Sequence, residues 1–113
     1  MLHRIEERQP GVLVVSIAGR ITVENGDGAL VQIIEEALAL RPTHVIVDLA
    51  DVPMIDSCGL GELVAAYQRA RRFGCGLSVV RPNDRVLEVL RVTRLAAILV
   101  DRSPEFAGAA ALA

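Results

Sequence analysis

The residues best placed to do chemistry are Asp56, Ser57 and Cys58. They stand in succession where an apolar run gives way to helical spacing. A hydroxyl at a helix start sits beside unpaired backbone N–H groups and the positive end of the helix dipole. A phosphate on Ser57 would add about −1.5 to −2 charge at that point, which makes the residue a potential switch. Capping of the helix by Asp56 or Ser57, worth about 1 kcal/mol, accounts for the pair by itself. It does not account for Gly59 and Gly61, each costing roughly 0.8–1 kcal/mol relative to alanine inside a helix. Bare backbone there implies close approach by another segment, an anion or a partner protein, with tight helix–sheet packing as the alternative.

Other chemistries fit less well. A thiol at a helix start can be activated, which gives Cys58 a nucleophile reading as a small thiol enzyme. It lacks a base, because His3 and His44 are the only histidines and His44 precedes a strand whose far end leads to Ser57. Asp48, Asp51 and Asp56 form an acid cluster that no histidine or cysteine joins at ligand spacing, so no metal and no cofactor are expected. Gly26-Asp27-Gly28 and Gly59-Leu60-Gly61 lack the Gly-Lys-Ser/Thr ending of a phosphate-binding loop.

The elements that hold these residues are legible from periodicity. Val12 to Ala18 is a β-rich run bounded by Pro10-Gly11 and Gly19, and Leu2 to Arg8 is expected to pair with it as an edge strand. Apolar residues Leu30, Ile33, Ile34, Ala37 and Leu38 recur at helical spacing from Ala29 to Leu40, with Asp27 able to cap and Pro42 ending the helix. His44 to Leu49 is a strand and Ser57 to Phe73 a helix, stopped by Gly74-Cys75-Gly76. Leu77 to Val80 is a strand, and Pro82-Asn83-Asp84 begins a helix with a Val86, Leu87, Leu90 seam. Ile98-Leu99-Val100 reads as a last strand, and Ser103-Pro104-Glu105 as another helix start. Strands alternating with helices give an α/β fold, with a mixed, largely parallel sheet of about four to five strands flanked by about four helices.

Composition narrows the classes. The 113 residues fit one domain, 1–113; they are 52% hydrophobic but only 3% aromatic, so Val, Leu, Ile and Ala must build the core. A net charge of −2 without stacking aromatics excludes a nucleic-acid footprint. Arg69, Arg71 and Arg72 read as the solvated face of a helix. Cys58 and Cys75 are isolated, as free thiols of an intracellular protein are. The charged start Met1 to Arg8 is not a signal core, and no apolar run reaches the roughly 20 residues of a membrane span. The expected location is the cytoplasm, without membrane insertion.

Ile46-Val47-Asp48-Leu49 followed by Val52-Pro53-Met54-Ile55-Asp56-Ser57-Cys58-Gly59-Leu60-Gly61 resembles the STAS domain, named for sulfate transporters and anti-sigma factor antagonists. Phe73-Gly74-Cys75-Gly76-Leu77 is similar to the family's turn into a strand, and Val86 to Leu95 to its later helix. The resemblance runs from about Val12 to Val100. It implies a regulator rather than an enzyme: an anti-sigma factor antagonist that captures an anti-sigma factor serine kinase and frees a sigma factor. Phosphorylation of the serine after the aspartate, here Ser57, ends the capture, and a metal-dependent serine phosphatase restores it. Thr22, Asp56, Ser57, Cys58, Gly59 and Gly61 would form the partner-binding patch. Two positions depart from the family pattern: Cys58 replaces a Ser or Thr, and Thr22 replaces an acid in the Gly19-Arg20-Ile21-Thr22 loop. The second leaves a scaffold role without phosphoregulation, in a stress-sensing or lipid-transport complex, as the alternative.

Overall fold

A computed structural model describes residues 1–100 of the chain. Strand β1 (Leu2–Gln9) turns through Pro10-Gly11 into β2 (Val12–Ala18). A single 3₁₀ turn, Val23–Asn25, precedes helix α1 (Ala29–Leu38). Strand β3 (His44–Asp51), helix α2 (Ser57–Arg72) and strand β4 (Gly76–Val80) follow. Helices α3 (Asp84–Val92) and α4 (Ala96–Leu99) complete the described chain.

The four strands form one sheet in the order β1-β2-β3-β4. The β1–β2 hairpin is antiparallel, whereas β2, β3 and β4 run parallel, each parallel step being crossed by a helix. Alternation along the strands sends Leu13, Val15 and Ile17 of β2 and Val45, Val47 and Leu49 of β3 into the main core. There they meet Leu30, Ile34 and Ala37 of α1, Leu63, Ala66 and Ala70 of α2, and Val86, Leu90 and Leu99 from the later helices. The core is aliphatic, as the composition requires; Phe73 is 67% exposed. Val12, Val14, Ile46 and Val80 form a second, smaller cluster.

Two expectations are corrected. Ile98–Val100 is not a strand: Ala96–Leu99 is a short helix and Val100 makes only one parallel bridge, to Val79. Leu95 and Leu99 both pack at the main core, one helical turn apart on the same face of the short helix. Asp27 does not cap α1. The N-cap is Gly28, at φ 80°, and the Leu30 N–H donates instead to Glu62 Oε1 of α2 at 2.9 Å. The helix start expected at Ser103 lies outside the described residues.

Candidate functional site

The site lies where β3 passes into α2. Asp56 is the N-cap of α2, with extended backbone, and its Oδ1 accepts from the Gly59 N–H at 2.8 Å. Its other oxygen, Oδ2, accepts from the Val23 N–H at 2.9 Å, 33 residues away. One carboxylate thus pins the 3₁₀ turn to the start of the helix. The Gly59 bond, then the Val23 bond, hold Asp56 below the usual carboxylate range, against a smaller opposing effect of burial.

Around this clip, segments 20–25 and 54–59 are knitted together. Ile21 and Ile55 form a parallel bridge; the Ile21 N–H donates to the Met54 carbonyl at 3.2 Å, and the Asp56 N–H to the Ile21 carbonyl at 3.3 Å. Gly59 is explained by this contact, because a Cβ there would fall onto the Ile21 carbonyl oxygen. The segment approaching Gly59 is therefore part of the chain itself. Gly61 differs: a Cβ there meets nothing within 4 Å.

Ser57 and Cys58 are exposed in the first turn of α2, Gly61 is exposed, and Asp56 is half-buried. Thr22 and Gly59, expected on the same surface, are buried, Thr22 to 7% exposure. Thr22 serves as the N-cap of the 3₁₀ turn, its N–H donating to Asn25 Oδ1 at 2.7 Å. Those two residues position the surface and offer it little side chain. Beside Ser57, a groove of about 500 Å³ has Val23, Val31, Cys58 and Gly61 in its walls, with Asp27 and Glu62 as its charged residues. Val23, Val31 and Glu62 were not singled out from sequence, because long-range contacts bring them there.

The rival chemistries lose their components. His44 Nε2 lies 2.8 Å from Ser78 Oγ near the start of β3, the end of that strand away from Cys58. Asp48 is buried in a two-point pair with Arg81: Arg81 Nε donates to Oδ1 at 3.2 Å and Nη2 to Oδ2. Asp48 Oδ1 also accepts from the Ala50 N–H at 3.0 Å. That pairing raises the Arg81 pKa above its ordinary value. Asp48 therefore braces the β3 and β4 ends, and Asp56 answers backbone N–H groups. Among the described residues, no group of three or more His, Cys, Asp or Glu is placed to hold a metal ion. No helix among them is long and apolar enough to cross a membrane.

Known proteins resemble this chain in sequence and fold. An anti-sigma F factor antagonist of Paenibacillus polymyxa is 26% identical over 93 residues, covering 82% of this chain and 80% of that protein. The crystal structure of an anti-sigma factor antagonist from Mycobacterium paratuberculosis superposes with a TM-score of 0.77 at 27% identity, over 94% of this chain and 89% of that one. The Bacillus cell fate determinant SpoIIAA in its phosphorylated form shares the fold, with a TM-score of 0.65 at 18% identity over 94% of this chain and 96% of that one. The STAS domain family model matches residues 4–107, and with the Asp56-Ser57 helix start in place the chain belongs to the STAS domain family.

Proposed function

We propose that this protein is an anti-sigma factor antagonist of the cytoplasm, acting by binding rather than catalysis, whose capture of an anti-sigma factor serine kinase is switched by phosphorylation of Ser57. The observation that carries the reading is the exposure of Ser57 at a turn clipped by Asp56, next to Cys58 in the wall of an open groove. A kinase reaches a hydroxyl only if it protrudes, and a partner reads the added charge only if the surrounding surface is fixed. The similarity to anti-sigma factor antagonists supports the partner class.

The electrostatics favour a charge-repelled complex. The groove lining next to Ser57 carries Asp27 and Glu62 and no basic residue. The Gly59 N–H, a donor that a phosphate at the helix start could otherwise take, is already held by Asp56. A phosphate on Ser57 therefore adds to an acidic surface, and desolvating it against a partner weakens the complex unless the partner supplies a cation. A metal-dependent serine phosphatase would reset the switch. The partner-facing set is Asp56, Ser57, Cys58 and Gly61, with Thr22 and Gly59 holding it in place.

Incubation of the full chain with its cognate anti-sigma kinase and ATP, followed by peptide mass spectrometry, tests the assignment. One phosphate on Ser57, absent from Ser57→Ala, is expected. Modification elsewhere, or none on the intact protein, contradicts it.

A further inference from the structure

We propose that the end of the molecule opposite Ser57 is a docking surface for an anionic lipid bilayer. The two ends are separated by the length of α2, whose 16 residues span about 24 Å. At the far end the chain leaves α1 through Leu40-Arg41-Pro42 and leaves α2 through Phe73. Leu40 is 66% exposed and Phe73 67% exposed. In a chain with only two Phe and one Tyr, placing a Phe in solvent forgoes much apolar burial.

These side chains share one surface. Leu40 stands in the wall of a groove of about 370 Å³ and Phe73 in that of another of about 500 Å³. Arg41 and Pro42 line both, so they form the ridge between the two apolar tips. Arg72 directly precedes Phe73. Arg41 and Arg72 are exposed and enter no ion pair among the described residues, whereas Arg4, Arg8, Arg69 and Arg81 do. The Leu40 groove also has one acid in its wall, the exposed Glu7, which accepts from the Gly11 N–H at 3.4 Å.

The occupant follows from charge and area. A second copy docked face to face would gather four guanidinium groups, Arg41 and Arg72 of each copy, into one interface. The apolar component is two tips and a proline, less than the apolar core of a standard protein interface of about 800 Å² per partner. It does suit an anionic bilayer: an aromatic ring and a leucine enter the headgroup level while guanidinium groups pair with lipid phosphates. Binding of this kind is shallow and reversible, and it leaves the Ser57 end facing away from the membrane.

Sedimentation of the full chain with phosphatidylglycerol/phosphatidylcholine vesicles, against pure phosphatidylcholine vesicles, tests this. Binding to the anionic vesicles alone is expected, falling with added salt. A basic residue near an anionic surface is worth about fivefold in partition, so Arg41→Gln with Arg72→Gln should lower it on the order of 25-fold. Leu40→Ser with Phe73→Ser should lower it at least tenfold. All four positions are exposed, so thermal melts should match the parent, and Ser57→Asp should bind vesicles as the parent does. The proposal is overturned by an absence of anion-selective binding, the result expected if this surface serves an acidic protein. It is equally overturned if binding persists in either double variant.

Discussion

A single carboxylate decides the geometry of the Ser57 surface. Asp56 bonds the Val23 and Gly59 N–H groups at once, so its charge contributes to stability as well as to shape. Its folded pKa is lowered, relative to an unfolded value of about 3.9, so the contribution is complete above the unfolded value and lost as pH falls through the folded one. The stability gap between the parent and Asp56→Asn should therefore be constant near neutral pH and close below about pH 4. Chemical denaturation at a series of pH values checks this, and a gap that widens in acid contradicts it. The two glycines should separate in the same way. Gly59→Ala forces a methyl onto the Ile21 carbonyl and should cost about 1–3 kcal/mol, as overpacking does. Gly61→Ala has open space and should stabilise by up to about 1 kcal/mol in urea unfolding. The Asp56-Ser57 pair was legible in the sequence because capping is local. The burial of Thr22 and the capping of α1 by Glu62 were not, since both depend on residues far apart along the chain.

At the level of elements, the ends of β3 and β4 and the loops leaving them are braced by side chains. Asp48 and Arg81 join the ends of β3 and β4, and the Asn83 amide donates to the Val52 and Pro53 carbonyls, both at 3.2 Å, in the segment leading to Ser57. Side-chain exposure of the ion pair is unequal, 4% for Asp48 and 42% for Arg81. Removing the arginine strands a buried carboxylate, while removing the aspartate leaves a guanidinium that water can reach. Arg81→Met should thus cost on the order of 2–3 kcal/mol, below the range for a fully buried pair, and Asp48→Ala distinctly less. Equal losses in equilibrium unfolding would show that burial is not what sets the cost. Strand and helix order from β2 through α3 could be read from apolar runs and helical spacing, whereas β1, with only Ile5 half-buried against the core, is legible through the Pro10-Gly11 turn that follows it. Ala96–Leu99 could not be, as four residues are too few to display a period, and a lone bridge at Val100 resembles a strand in composition.

For the whole molecule, a mixed sheet with its helices holds two dissimilar ends apart. One carries Ser57, an acidic groove and a pinned turn; the other carries apolar tips and free arginines. The motif in the sequence located the first end, because the chemistry there follows from consecutive residues. The second was hidden, because Leu40 and Phe73 lie 33 positions apart and only the fold brings their loops together. The most direct test of the switch is the dissociation constant of the cognate anti-sigma kinase for this protein, measured by calorimetry with unmodified and Ser57-phosphorylated chain. The phosphorylated form is predicted to bind at least tenfold more weakly while melting at the same temperature. Equal affinity of the two forms would contradict the account.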